Sequence, residues 1–446
     1  MGDDMNIDKL LEICDGTLIG KKIDIDINNV DFSKDTRTIN NGDIYVGIKG
    51  ESFNGNNFYK EAFDKGASIC ILDKDTIVET DIDKTIILVD NTVKAIQELA
   101  KYKRSLYNIP VIAITGSVGK TSVKDMVYCV VNSKYKTLAT IENYNNEIGL
   151  PLTVLSLREH EAMVLEMGMN SFNEIHVLSE IAKPTIALIT NIGTAHIGNL
   201  GSRENILKAK LEILDGMNGG KLIINNDNDM LRTVKYDNLI TIGIDNKSMY
   251  TAHDINDNVF SADFYINDSK VSIPVGSKAF VYNSLFAYAV GKELGISDSE
   301  IIQALSKFKL SPHRLEMIKT DKYMIIDDTY NASLDSVKNS LTLLSKVNNR
   351  QVFIFADILE TDEFGKEIHE NVGRACIENN IDVVITVGEL SKYTYDILKD
   401  TKIKNYHFSN NQNLISEIDN ILETGDAILV KGSHSMNLIE IVNYLK

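Results

Sequence analysis

The sequence predicts an α/β protein built from three successive αβ units, the later two with open, doubly wound parallel sheets. Two observations predict it. Strands apolar at every position, as a sheet covered on both faces requires, alternate with helical stretches. The strand-then-helix pattern also restarts twice, at Asn108–Pro110 and near Ser311. A chain of 446 residues has room for this, since a domain takes roughly 100–200 residues. The expected domains are 1–107, 108–310 and 311–446, the first mixed αβ and the later two built on open parallel sheets.

In the first unit, Asp43–Ile48 and Ile86–Val89 read as strands and Phe58–Lys65 and Val93–Tyr107 as helices. The basic run Lys101-Tyr102-Lys103-Arg104 reads as a solvated helix end. In the second, the strand Val111–Ile114 meets a Gly-rich turn and a helix from Thr121, and the strands Ala162–Glu166, Thr185–Thr190 and Lys221–Ile224 follow. In the third, Tyr323–Ile326, Gln351–Phe355, Ile381–Val387 and Ala427–Lys431 read as strands, with a helix near Asp335–Lys346.

Composition excludes several function classes. Lys and Arg total 46 against 63 Asp and Glu, a net charge of -17, so no general basic field for nucleic acid exists. No apolar run approaches the roughly 18 residues of a spanning helix, so membrane insertion is not expected. The start, MGDDMNIDKL, lacks the basic-then-apolar order of a signal peptide, and Asn6 stands where a myristoylation signal on Gly2 needs Ser or Thr. Cys14, Cys70, Cys129 and Cys376 form no CxxC pair, which argues against a disulfide scaffold or structural zinc and fits a reducing cytoplasm.

The segment Val111–Val127 (VIAITGSVGKTSVKDMV) carries the strongest chemical signal. After the strand, Thr115, Gly116, Ser117, Val118, Gly119, Lys120, Thr121 and Ser122 form a turn into a helix. Glycines there let backbone N–H groups curl around an anion, and the helix N-terminus adds partial positive charge. Lys120 can reach terminal phosphates and the Thr121 hydroxyl is placed for Mg²⁺, so ATP-type binding is expected. A guanine reader is not, because Met249 fills the Asp position after Asn246-Lys247.

Downstream, Glu166 and Asn191 end apolar strands, the edge where doubly wound sheets place ligands. A carboxylate there suits Mg²⁺, the alternative being a loop hydrogen bond. His196 follows a strand end and reads equally as a ligand or a satisfied loop histidine. Lys208 and Lys210 lie on a helix and would ordinarily be solvated. Asp327-Asp328-Thr329-Tyr330-Asn331-Ala332 emerges from a strand end. Its carboxylates could bind an ammonium, or merely cap the next helix.

Together these segments resemble the Mur ligases of bacterial cell-wall synthesis, over nearly the whole chain, which implies that family's three-domain architecture: an N-terminal mixed αβ UDP-binding domain, a central P-loop ATPase-type parallel sheet and a C-terminal Rossmann-like domain. Asp35-Thr36-Arg37, Gly42–Glu51 and Gly55…Phe58…Gly66-Ala67 resemble the family's UDP-sugar-binding domain. TGSVGKTSVK, ENYNNEIGLP, LEMGM, TNIGTAHIGNLGS, KAKLEIL and INNDND match its central domain in order and spacing. Arg314, DDTYNA and Lys431-Gly432-Ser433 resemble the last domain of those members that add D-alanyl-D-alanine.

The resemblance implies an ATP-dependent ligase, acting as a monomer, that joins D-alanyl-D-alanine to UDP-N-acetylmuramoyl-tripeptide through an acyl phosphate and a tetrahedral intermediate. It implies two Mg²⁺ sites held by Thr121, Glu166, His196 and a carbamylated Lys210. It places Asn225, Asp227 and Asn283 around the adenosine, and Arg314 and Lys431 toward the phosphates and the reacting carboxylate. Asp35, Thr36 and Arg37 fall at the UDP end. Asn145, Asn146, Asp328, Tyr330 and Asn331 fall at other substrate positions. Ser333-Leu334 stands where the family usually has Asn-Pro, which predicts a looser loop and a more tolerant acceptor site. Rival readings are a folate polyglutamating relative, a paralogue using D-alanyl-D-serine, and a P-loop protein that ligates nothing.

Overall fold

The computed structural model describes residues 6–50, 52–79 and 83–446; Gly2 and Glu51, singled out above, lie outside the described residues. Two compact units are distinguished. One comprises residues to Thr115, Tyr135–Ala187 and Leu211–Lys221; the other comprises Gly116–Lys134, Leu188–Lys210 and Leu222–Lys446.

In the first unit, β1 (Thr17–Gly20), β2 (Phe32–Ser33), β3 (Ile44–Val46), β4 (Ile69–Asp73) and β5 (Thr85–Val89) form a sheet in the order β1-β5-β4-β3-β2. Only β1 runs antiparallel to its neighbour. The sequence reading missed the central strand β4 (ICILD), whose short apolar run periodicity cannot assign. The same unit holds β6 (Val111–Thr115), β7 (Thr137–Ala139) and β8 (Ala162–Glu166), with β8 parallel to both others. The helix Thr92–Ser105 packs against the helices Gly149–Leu155 and Glu174–Ala182.

That helix corrects one expectation. Lys103 and Arg104 are buried, not solvated. Lys103 Nζ donates to the carbonyl (3.1 Å) and Oδ1 (3.0 Å) of Asn28. Arg104 donates to the carbonyls of Ala182 (2.8 Å) and Tyr107. Burying these cations is tolerable because carbonyl and amide oxygens accept hydrogen bonds from them.

β9 (Ile186–Ile189) crosses from one unit to the other. In the second unit, β10 (Lys221–Asn225), β11 (Leu239–Gly243) and β12 (Tyr250–Asp257) are parallel, and β13 (Ala262–Ile266) and β14 (Ser269–Ile273) continue antiparallel. The phosphate-loop helix Lys120–Val131 packs on Lys278–Glu293, a helix buried on most sides.

The last sheet contains β15 (Glu316–Lys319), β16 (Met324–Asp328), β17 (Gln351–Ala356), β18 (Val383–Val387), β19 (Lys404–Phe408) and β20 (Ala427–Lys431), ordered β15-β16-β20-β17-β18-β19. All but β15 are parallel. Alternate residues feed two cores: Ile326, Phe353, Phe355, Val384 and Leu429 one, and Ile325, Ile354, Ile385 and Val430 the other. Coverage on both faces explains why these strands are apolar throughout. The order places β20 between β16 and β17, so the loops after these strands meet at the C-terminal edge of the sheet.

Candidate active site

The phosphate loop is held open by the segment after β9. Ser117 N donates to the Asn191 carbonyl (3.0 Å) and Val118 N to Asn191 Oδ1 (2.9 Å), while Thr190 Oγ1 donates to the Val118 carbonyl (2.7 Å). Gly116 (φ 153°) and Gly119 (φ 82°) adopt backbone that other residues resist, and a side chain on Gly116 would strike Thr190. Lys120 Nζ folds back to donate to the Gly116 carbonyl (2.9 Å). Thr115 Oγ1 is buried without a partner among the described residues. A curled, Gly-dependent loop at a helix start fits a phosphate chain.

Three basic groups converge here. Lys210 is 1% exposed, and burial first, then Lys120, pushes its ammonium well below the usual lysine range. The expectation of a solvated Lys210 is thus corrected, because its helix turns that face inward. His196, at φ 62°, is pushed down to about 4 by burial first, then by Lys120 and Lys210. At neutral pH its imidazole is uncharged and can accept a proton or a metal. Clustered nitrogen groups that depress one another favour an anion among them.

Asn225 and Asp227 pin the loop after β11. Asn225 Oδ1 accepts from Asp227 N (3.0 Å), and the Asp227 carboxylate accepts from Ile244 N (2.6 Å), Asn246 N (2.7 Å) and Tyr282 OH (2.8 Å). Burial alone would raise the Asp227 pKa, but these donors hold it at about 2. Asn283, on the helix bearing Tyr282, faces Gly119 of the phosphate loop.

In the first unit, Glu166 is 2% exposed and its Oε1 accepts from Asn145 Nδ2 (2.8 Å). Asn146 Oδ1 accepts from Gly149 N (2.9 Å) at the head of the next helix. Asp35 accepts from Arg37 N (2.9 Å) and is bridged by the Arg37 guanidinium (2.6 Å), which lowers its pKa to about 2. Thr36 Oγ1 donates to Glu61 (2.8 Å).

At the last sheet, the capping alternative for Asp327 and Asp328 fails: Ser333 caps the helix Leu334–Leu344 in a reciprocal box with Ser336. Asp328 Oδ2 accepts from Lys431 Nζ (2.6 Å) and Ser340 Oγ (2.7 Å), and Lys431 also donates to the Asn331 carbonyl (3.0 Å). Asp327 accepts from Thr329 Oγ1 (2.7 Å) and pairs with His313 Nδ1 (2.7 Å). The Arg314 guanidinium stacks 3.7 Å from the Tyr330 ring centroid and donates to Thr121 Oγ1 (2.8 Å). One side chain thereby joins the DDTYNA segment to the phosphate-loop helix.

Comparison with known proteins agrees with this geometry. Residues 114–291 match the Mur ligase middle domain and residues 313–434 the Mur ligase, glutamate ligase domain. The chain belongs to the Mur ligase family. It is 34% identical to the UDP-N-acetylmuramoyl-tripeptide–D-alanyl-D-alanine ligase of Bacillus subtilis, over 98% of both chains. It is 30% identical to the enzyme of that name from Escherichia coli, over 99% of this chain and 98% of that one. A crystal structure of MurF from Acinetobacter baumannii superposes with a TM-score of 0.89 at 27% identity, over 99% of each chain. The Thermotoga maritima MurF complex with ADP superposes with a TM-score of 0.82 at 27% identity, over 94% of this chain and 98% of that one.

Within this Mur ligase, sequence reasoning missed His313, Ser340 and Asp335. His313 adjoins Arg314 but meets Asp327 only across the β15–β16 hairpin. Nothing in local spacing signals such a pairing. Ser340, seven residues beyond the cap, reads as an ordinary helix serine until the turn brings it to Asp328.

Proposed function

We propose that this Mur ligase adds D-alanyl-D-alanine to UDP-N-acetylmuramoyl-tripeptide in peptidoglycan precursor synthesis, converting ATP to ADP and phosphate. The observation that carries it is Arg314, which touches both Thr121 of the phosphate loop and Tyr330 of the DDTYNA segment. The enzyme is taken to act as a cytoplasmic monomer with domains meeting near residues 107 and 310. No helix among the described residues is long and apolar enough to cross a membrane.

A carboxylate is a poor acyl donor. Transfer of the γ-phosphoryl group to the tripeptide carboxylate makes an acyl phosphate, and the dipeptide amine attacks its carbonyl to give a tetrahedral intermediate that expels phosphate. Two anions must meet, so fixed cations do much of the work. Lys120 leaves the Gly116 carbonyl for the phosphates, and Arg314 lies beside them while its ring partner Tyr330 fixes its plane. Thr121, Glu166, the neutral His196 and Lys210 are the residues that would hold Mg²⁺, which when bound neutralises phosphoryl oxygens. Lys210 suits carbamylation, because burial disfavours its ammonium and so favours the free amine that attacks CO₂, losing a proton as the carbamate forms. Asn225, Asp227 and Asn283 frame the nucleotide, Asp35–Arg37 the UDP end, and Asn145 steadies Glu166.

The test is phosphate release by the purified enzyme with ATP, donors carrying lysine or diaminopimelate, and a panel of amines. Release that requires both a UDP-muramoyl tripeptide and D-alanyl-D-alanine is the expected result. Release with glutamate on a folate donor, or with no donor at all, would overturn it.

A further inference from the structure

The acceptor dipeptide arrives as an ammonium and must lose a proton before its amine attacks the acyl phosphate, and a carboxylate is the natural group to receive it. The two carboxylates that the sequence offers are already committed. Asp328 is bonded to Lys431 and Ser340, and Asp327 to His313 and Thr329. Another carboxylate borders the phosphate loop. Asp335 lies in the first turn of the helix Leu334–Leu344, half-buried, with its carboxylate against the backbone of Gly193. The approach is so close that any side chain on Gly193 would collide with it, and Ser117 of the phosphate loop borders the same point. Gly193 N in turn donates to Ser117 Oγ (2.9 Å), so Asp335 faces the loop that receives phosphates.

The Asp335 carboxylate accepts no hydrogen bond from any described residue. Arg203 lies near enough to feel its charge, but that guanidinium is spent on Asp229 (2.6 and 2.8 Å) and the Ile192 carbonyl (2.8 Å). An anion left beside a phosphate site repels the nucleotide unless a cation stands between them. The acceptor's ammonium is a cation that the proposed reaction brings to the phosphate loop. Resting on the ligase reading above, we infer that Asp335 is the acceptor-binding carboxylate, which holds the ammonium of the incoming dipeptide beside the phosphate loop. A mere acidic residue in a helix's first turn would influence stability and nothing else.

Kinetics of the full-length enzyme with ATP, UDP-muramoyl tripeptide and D-alanyl-D-alanine test it, with N-acetyl-D-alanyl-D-alanine as a competitor that keeps the carboxylate but lacks the ammonium. Asp335→Asn should raise the acceptor KM by about tenfold or more, the worth of a charge-assisted hydrogen bond. The KM values for ATP and donor should stay within about twofold. The acetylated competitor should inhibit wild type and variant alike, and Asp335→Glu should recover part of the acceptor affinity. An unchanged acceptor KM in a folded Asp335→Asn enzyme, or equal losses for the free and the acetylated dipeptide, would overturn the inference. Wild type that fails to use D-alanyl-D-alanine at all would instead overturn the ligase reading beneath it.

Discussion

Lys103, Lys210 and Lys431 are almost wholly buried, and each is tolerated for a different reason. Lys431 is neutralised by Asp328, so Lys431→Met strands a buried carboxylate and should cost about 3–5 kcal/mol, read by urea unfolding. A loss below about 1 kcal/mol would mean that Asp328 finds another partner. Lys103 keeps two oxygen acceptors, but burial first, then Arg158, lowers its pKa to about 8. Its unfolded value lies near 10.4, so between about pH 8 and 10 the unfolded chain binds more protons at this position. Wild-type stability should therefore rise over that window relative to Lys103→Met; parallel curves would refute the assignment. Among the described residues Lys210 has neither remedy, and the carbamate proposed for it supplies an anion that a metal can meet. Lys210→Ala should lose most activity and regain part of it with added short carboxylates, whereas full activity without them would end the carbamate proposal.

At the level of elements, the segment after β16 behaves differently from its sequence. Ser333-Leu334 in place of Asn-Pro suggested a loose acceptor loop. Instead Ser333 caps the following helix in a reciprocal box, and Lys431 fastens the Asn331 carbonyl. The expected tolerance toward other acceptors loses its physical ground. Ser333→Ala should cost about 1 kcal/mol of stability, seen as a lower unfolding midpoint. Tyr330→Ala removes the surface on which Arg314 lies. It should lower kcat with ATP KM nearly unchanged, since the guanidinium keeps its charge but loses its orientation. A variant with wild-type kcat would show that Arg314 orients itself without the ring.

Across the whole molecule, a net charge of -17 means that the anionic substrates must be met by locally concentrated cations, as at Lys120 and Arg314. A ligand bound only by the folded state stabilises it, so a non-hydrolysable ATP analogue at about a hundred times its Kd should add about 2.7 kcal/mol to unfolding. Lys120→Ala should lose most of that gain while keeping its own stability, and an undiminished gain would take Lys120 out of the nucleotide site. By itself the sequence determined the αβ alternation, the doubly covered parallel strands and the phosphate loop. Those are local matters, written in hydrophobic periodicity and in glycines that few other residues could replace. It could not tell that Lys103, Arg104 and Lys210 point inward, because a lysine on a helix has the same spacing whether water or protein covers it. Nor could it pair His313 with Asp327, Lys431 with Asp328, or Asp335 with Gly193. Each of those contacts forms only when strands distant in sequence align in one sheet or a helix start meets a loop, and only the tertiary structure decides which carboxylate is spent and which stays open to a substrate.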